Sequence, residues 1–507
     1  MRILTVLGLL PAFLLGTSAT PVVAARTVAT TESRVQAYGD AFATPGVAAA
    51  VLAGGALETV VRGHDGTGAP ITPSTRFRIA SMSKSMTATA IMLLVKDGEV
   101  GLDDRVVDLL PEFTMADARY EDITLRQLLS HTSGLSLQTN DEFALPAPRT
   151  TSAVVAELAD RRLVAAPGSR FEYHNTNYSL AARVIEVVSG LSLDDFLRLR
   201  LFEPLGMHDS RSLDACDQTV DGLAPGYSVV LGFSYVMPEM PGRCGGNGGV
   251  ISTLADMVRW LRFNQGEIGS ELLDRTLLDE LHAAQPNSPS YALGWERRAP
   301  GDGEGREYVS HGGTLATFTG SMAFVPATGT AAVVLTNGVG SPGELVQNLI
   351  ADADGTEAMT HENPLDLVNA ILLGLVALAV ILLTVTALRA PRWAARRRAA
   401  RRPRIWLRLL PLTVIVVAGL LLPLTPALLG GAIDWQYWVI NLWLFPLLDA
   451  LAVVMVLGGI SALVSRVVAL RVVPASLRRQ LHSVRQSEPP VSRTLVSPDA
   501  TGPREST

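Results

Sequence analysis

Three apolar runs near the end of the chain constrain it most. Leu367–Leu388 contains no charged side chain, and Leu409–Ile433 and Leu444–Val464 are almost as apolar. Each run is close to the ~20 residues that cross the hydrocarbon of a bilayer. The segment Arg389–Arg408 between the first two carries nine Arg and no acid, a pattern that stays on the cytoplasmic side. The pattern predicts three transmembrane helices running out–in, in–out and out–in. The short aromatic loop around Trp435, Tyr437 and Trp438 then falls at the outer interface. Pro423 and Pro426 are expected to kink the second helix. Asp449 lies inside the third run, where a charge is costly. Such a residue faces a groove or a partner, or else sits near the outer end and meets water.

Charge divides along the same line. From Arg389 onward there are sixteen Arg, no Lys and five acids, a balance of +11, and with −6 overall the part before it carries −17. An acidic body with a basic, apolar tail fits a membrane protein whose basic parts are cytoplasmic. Nucleic-acid binding is disfavoured, because the basic residues lie beside the apolar runs. At the other end, Arg2, the apolar run Ile3–Leu15 and the small residues of Val23-Ala24-Ala25 read as a signal peptide over residues 1–25. An uncleaved anchor helix is the alternative. The basic loop (389–408), the cytoplasmic tail (465–507) and the signal together place the large domain outside.

That domain spans residues 30–351, followed by a polar linker over 352–366. Apolar alternation predicts strands at Val47–Leu52, Ser321–Pro326 and Ala331–Thr336, and helical patterns cover Ser83–Asp97, Leu180–Ser189 and Leu254–Asn264. Strands at both ends with helices between them predict an α+β domain whose terminal strands share one antiparallel sheet. Cys216 and Cys244 are the only cysteines. An exported pair usually bonds, and two thiols that never meet are the alternative. The eight His are scattered, with no metal-ligand spacing. No cofactor or metal is expected.

Lysine usage marks the chemistry. Of 42 Lys plus Arg, only Lys84 and Lys96 are lysine. A buried lysine deprotonates near neutral pH, and an arginine does not. Lys84 follows Ser81 by three residues, which puts both on one face of a helix. Ser81 falls at the helix start, where backbone N–H groups favour developing negative charge. A desolvated Lys84 amine can then take the Ser81 proton. By itself this spacing is also that of a capped surface helix.

Further segments give it context. Phe77-Arg78-Ile79-Ala80-Ser81-Met82-Ser83-Lys84 resembles the active-site helix of the penicillin-recognising serine hydrolases, which include class C β-lactamases, DD-peptidases, D-aminopeptidases and esterases. Leu128-Leu129-Ser130-His131-Thr132-Ser133-Gly134-Leu135 resembles a loop of that family. Tyr173-His174-Asn175 resembles its second motif. Gly248-Gly249-Val250-Ile251-Ser252-Thr253 and Tyr291-Ala292-Leu293-Gly294-Trp295 are similar to two further segments, and His311-Gly312-Gly313 occupies the third motif. The order matches across the whole exported domain.

The resemblance implies a β-lactamase/penicillin-binding-protein-like domain followed by the three helices. It also implies roles. Ser81 is the nucleophile, Lys84 its base, and Tyr173 a phenolate or proton relay. Asn175 contacts the substrate amide and holds Lys84. His311 begins the strand beside the site. Gly312 and Gly313 let substrate lie against that strand, and the N–H groups of Ser81 and Thr314 form the oxyanion hole. His131 and Asn247 are weaker candidates for the site and are read first as structural. The third motif is His-Gly-Gly where class C lactamases have Lys-Thr-Gly, which counts against lactam hydrolysis. The order of signal, hydrolase domain and three helices is similar to membrane-anchored, prodrug-activating D-aminopeptidases. The expected activity is therefore an extracytoplasmic serine hydrolase acting on a small molecule or peptide that contains a D-amino acid, either an N-acyl-D-amino acid prodrug or a cell-wall peptide. An esterase or β-lactamase is the alternative within the family. A catalytically silent sensor of β-lactams or wall fragments is the alternative outside it.

Overall fold

The structure is a computed structural model that describes residues 29–472 apart from 231, 299–305, 357–363, 397–401 and 426–435. The signal segment, Pro426 and most of the final tail lie outside the described residues.

The predicted terminal strands pair. Gly46–Ala53 is hydrogen-bonded between Ala56–Gly63 and Thr330–Thr336, and Thr319–Val325, Tyr308–Thr314 and Glu296–Arg298 follow in a six-stranded sheet. Every neighbouring pair is antiparallel. The central strands are buried on both faces, as their continuous apolar runs require. Helices Thr31–Ala41 and Pro342–Ala353 cover one face, where Val35, Tyr38, Leu345 and Leu349 meet Val47, Ala49 and Val334. The other face carries the main core, built on the helix Ser83–Lys96. This helix is buried all round for most of its length, and its small and apolar residues permit that. Helix Thr176–Ser189 packs against it and stops at Gly190, whose φ of 71° is left-handed. Helix Leu254–Asn264 starts at Thr253, whose hydroxyl accepts from the Asp256 N–H at 3.2 Å.

The domain continues past residue 351. Asp352 pairs with Arg34 at 2.8 Å, and Asp354 pairs with Arg306 at 3.0 Å. The segment expected to begin the linker is thus tied to the domain, and a helix begins again at Pro364.

Among the described residues, three helices are long and apolar enough to cross a membrane, at Leu367–Leu388, Leu407–Leu424 and Pro446–Arg471. The third runs seven residues beyond the expected Val464. The second changes from α-helix to a tighter turn at Leu422–Leu424, around Pro423. Small residues let the helices close up. A Cβ on Gly459 would lie 2.7 Å from Val416, and one on Gly458 would lie 2.8 Å from Leu383. A short helix, Tyr437–Leu444, precedes the third span where the sequence pattern predicts a loop. Asp449 lies in the first turn of the third helix and is buried.

The large domain sits on one end of this bundle. Leu424 and Ile440 pack with Phe143, Leu145 and Met240. The Gln436 amide accepts from the Leu145 N–H at 2.6 Å and donates to the Leu145 carbonyl at 2.5 Å. Trp443 Nε1 donates to the Pro238 carbonyl at 2.9 Å. At the other end, near the arginine-rich loop, the Arg466 guanidinium stacks 4.6 Å from the Trp393 ring centre.

Candidate active site

Ser81 is presented by a strained turn. The strand Arg76–Arg78 leads into Ala80, which holds a left-handed φ of 51° although it has a Cβ. Non-glycine residues adopt this conformation only where their surroundings impose it. Here the Ser83 hydroxyl donates to the Ala80 carbonyl at 2.6 Å and accepts from the Val250 N–H at 3.0 Å, clamping the turn from inside. Ser81 emerges half-buried in the short turn Ala80–Met82, two residues before the helix Ser83–Lys96 begins.

Lys84 is fully buried beneath it. Its Nζ lies 3.0 Å from Ser81 Oγ and donates to the Asn247 carbonyl at 2.7 Å. The rings of Tyr173 and Tyr178 lie 5.0 and 5.7 Å from the same atom. Burial removes the water that would stabilise the ammonium, and this outweighs the pull of Glu142 and Glu296. The Lys84 pKa is pushed down to about 7. A neutral amine with one N–H given to Asn247 keeps its lone pair for the Ser81 proton.

The Tyr173 side chain faces Ser81, and burial raises its pKa although the Ser81 hydroxyl pulls the other way. The outer side of the ring stays open, and the residue is 40% exposed. A raised pKa makes Tyr173 a neutral phenol near pH 7. A neutral phenol at this place can pass a proton on. His131, at φ 57°, sets the ring in place with centroids 4.3 Å apart. Its Nδ1 accepts from His174 N–H at 3.2 Å and from the Asn177 amide at 3.1 Å, so its proton is on Nε2. Burial and the neighbouring Lys84 hold its pKa well below the usual value.

Asn175 sits at the start of helix Thr176–Ser189 but does not hold Lys84 as expected. Its side-chain amide donates to Glu142 at 2.8 Å, and its backbone N–H goes to the same carboxylate. Thr176 N–H adds a third bond at 3.2 Å, and His174 Nδ1 lies 2.9 Å away. Burial would raise the Glu142 pKa, but His174, Lys84 and these hydrogen bonds hold it below the usual carboxylate range. Lys84 takes the Asn247 carbonyl instead, which gives Asn247 a place in the site that its side chain did not announce. That carbonyl sits in a turn anchored by the disulfide Cys216–Cys244, because Asn247 N–H donates to the Cys244 carbonyl at 3.1 Å.

The strand Tyr308–Thr314 forms the far wall. His311 is buried, and both ring nitrogens are engaged. Nδ1 donates to the Gly312 carbonyl at 2.6 Å, and Nε2 accepts from the Tyr291 hydroxyl at 2.9 Å. Burial and Lys84 push its pKa down to about 3, so it is neutral. The two glycines do not share the expected task. A Cβ on Gly312 would meet nothing within 4 Å, whereas one on Gly313 would lie 2.3 Å from the Ile79 carbonyl. Gly313 thus lets the strand close against the turn that carries Ser81, whereas Gly312 points to the opposite face of the sheet, into open space. Thr314 ends the strand, paired with Thr319. A cavity of about 870 Å³ runs along this wall, lined by Phe171, Tyr173, Tyr291, Glu296, Gly312 and Thr314 among others. Strand Glu296–Arg298 pairs with Tyr308–Ser310, and among the described residues this pairing does not continue along His311–Thr314.

The sequence comparisons agree with this geometry. The profile of the family described as Beta-lactamase matches residues 31–357. Penicillin-binding protein 4 of Amycolatopsis lactamdurans is 34% identical over 313 residues, covering 58% of this chain and 81% of that protein. Protein flp of Staphylococcus aureus is 25% identical over 395 residues, covering 72% of this chain and 75% of its own. Among solved structures, the octameric penicillin-binding protein homologue from Pyrococcus abyssi superposes with a TM-score of 0.58 at 26% identity, covering 68% of this chain and 80% of that one. The D-stereospecific amidohydrolase from Streptomyces sp. gives 0.53 at 25% identity, covering 64% of this chain and 98% of that one. With the profile spanning well over half of its residues, the chain belongs to the Beta-lactamase family of serine hydrolases.

Proposed function

We propose that the protein is a membrane-anchored, extracytoplasmic amidase that cleaves substrates containing a D-amino acid through an acyl-enzyme on Ser81. The observation that carries this reading is the state of the third motif. His311 is buried and neutral, with both ring nitrogens occupied. A lysine at that place would give a fixed cation for a substrate carboxylate. Without that cation, the strand beside Ser81 offers backbone groups, which suit an uncharged backbone. This favours an N-acyl-D-aminoacyl amide or peptide over a β-lactam or a substrate recognised by a terminal carboxylate. The likeness to a D-stereospecific amidohydrolase supports the same class.

In this mechanism the Lys84 amine takes the Ser81 proton as Oγ bonds to the substrate carbonyl. The carbonyl electron pair moves to oxygen, which the N–H groups of Ser81 and Thr314 receive. On collapse, the C–N bond breaks and Tyr173 gives its proton to the leaving nitrogen. The Lys84 ammonium then reprotonates Tyr173. Water repeats the sequence on the ester, with its proton passing to Lys84, and restores Ser81. The domain lies at the end of the helix bundle away from the arginine-rich loop, which supports an external site.

The test is an assay of purified full-length protein on paired N-acyl-D- and N-acyl-L-aminoacyl amides, each with and without a terminal carboxylate. A D preference of about 100-fold or more is expected, with little gain from the carboxylate. A preference for L substrates, or dependence on the carboxylate, contradicts the reading. A reporter fused after Arg396 is expected on the cytoplasmic side, and one at Gln436 outside.

A further inference from the structure

A two-stranded hairpin, Tyr227–Val230 with Phe233–Val236, stands apart from both larger sheets. All four residues of its second strand are exposed. Phe233 is 77%, Val236 57% and Tyr235 42% exposed. No charged residue occurs from Gly222 to Pro238, in a domain that is otherwise strongly acidic. An isolated hairpin with an apolar, uncovered strand is a poor structure in water.

The position of its base identifies what covers it. Val236 is two residues from Pro238, whose carbonyl accepts from Trp443 Nε1, and Met240 packs on the Leu424–Ile440 cluster. Trp443 belongs to the short helix Tyr437–Leu444, which leads into the third span. Trp and Tyr in such places settle at headgroup level. The hairpin therefore springs from the contact between the domain and the bilayer end of the helices. At ~3.3 Å per residue, its second strand reaches on the order of 15 Å from that contact.

We infer that Phe233, Tyr235 and Val236 are seated in the outer interfacial zone of the bilayer that the three helices cross. This rests on the membrane reading above. The seat is interfacial and does not reach the hydrocarbon core. Among the described residues the strand pairs on one edge only, and the backbone groups of the other edge need water or headgroups, which the core lacks. Ser234, between the aromatic residues, suits the same depth.

The seat reaches the active site through the base of the hairpin. Tyr227 N–H donates to the Thr317 carbonyl at 3.2 Å. Glu239, just past the hairpin, accepts from the backbone N–H of Ala316 at 2.9 Å and of Thr317 at 3.1 Å, and from the Thr317 hydroxyl at 2.6 Å. These residues form the turn that follows Thr314. The hairpin thus joins the bilayer surface to the end of the strand that walls the cleft, so that an amphiphile lying in the outer leaflet meets the site at that end.

The test uses the full chain in vesicles of phosphatidylethanolamine and phosphatidylglycerol. Both native cysteines are bonded, so Ser234→Cys can be labelled alone with an environment-sensitive fluorophore. Leu378→Cys, on the exposed face of the first span, serves as the bilayer reference. Nitroxides at the headgroup or upper acyl positions are expected to quench the Ser234→Cys label at least about threefold more than aqueous iodide does, as an interfacial depth requires. Adding Phe233→Asp is expected to abolish that preference. If the Leu378→Cys label is quenched by lipid and the Ser234→Cys label only by iodide, the hairpin lies in water and the inference is overturned, while the membrane reading stands. If neither label responds to lipid nitroxides, both fail. Energy transfer between Ser234→Cys labels on separate copies without lipid quenching means that the strand pairs with a second copy, which also overturns it.

Discussion

The Nζ of Lys84 lies 3.0 Å from Ser81 Oγ and 2.7 Å from the Asn247 carbonyl. The second contact gives the first its direction. It takes one N–H of the amine and leaves the lone pair for the serine. Lys84→Arg keeps the positive charge, but a guanidinium does not deprotonate near neutral pH. Activity on a short D-aminoacyl amide is expected to fall by about a thousandfold or more, the scale of losing a general base. Retention within tenfold removes Lys84 from that role.

The same amine sets the pH profile. With its pKa near 7, the reactive form grows as pH rises through that value. Tyr173 is raised and His311 is held near 3, so neither adds an inflection between pH 5 and 9. The kcat/KM is expected to rise through about pH 7 and then level. Stability follows the same sign. Between about 7 and the ordinary 10.5, the unfolded chain binds a proton at Lys84 that the folded chain does not, so stability rises with pH across that window. A rate that falls from pH 6 to pH 8 contradicts this assignment.

Gly312 and Gly313 are expected to behave oppositely. Gly313→Ala drives a methyl group against the Ile79 carbonyl, a backbone atom with little freedom to move. The strand must shift away from the turn that carries Ser81, and kcat is expected to fall about a hundredfold, as small displacements near reacting groups do. Gly312→Ala meets open space on the opposite face of the sheet and should fold normally, with little effect on kcat or KM. Equal effects at the two positions refute this division.

The disulfide is expected to act on catalysis through Asn247. Cys216→Ser with Cys244→Ser removes about 2–4 kcal/mol of stability and loosens the turn that holds the Asn247 carbonyl. Water then reaches Lys84, its pKa rises, and the pH midpoint of kcat/KM moves upward. A less stable variant with an unchanged midpoint shows that the bond serves stability alone.

What the sequence made legible was what side-chain identity and period encode. The strands at Val47–Leu52 and Ala331–Thr336 and the helix after Ser81 fall where their patterns place them, Ser81, Lys84 and Tyr173 lie together, and His311 stands on the neighbouring strand bonded to Tyr291. The hold of Asn247 on Lys84 was illegible because it is made by the carbonyl, which every residue has. Glu142 was illegible because a loop far from Asn175 in sequence brings it there, with no periodic signal. The aromatic residues before the third span were read as an interfacial loop, but their helix and its hold on Leu145 and Pro238 depend on tertiary contact. The division between Gly312 and Gly313 needed the position of the Ile79 carbonyl.

The central claim is that Ser81 forms an acyl-enzyme that turns over. Its most direct test is intact-mass analysis of the full-length protein, acid-quenched at intervals while hydrolysing an N-acyl-D-aminoacyl amide or ester. The account expects a transient mass increase equal to the acyl group, localised to the peptide containing Ser81, decaying at the rate of product release and absent in Ser81→Ala. Product formation without an adduct at Ser81, or an adduct there that never decays, contradicts it.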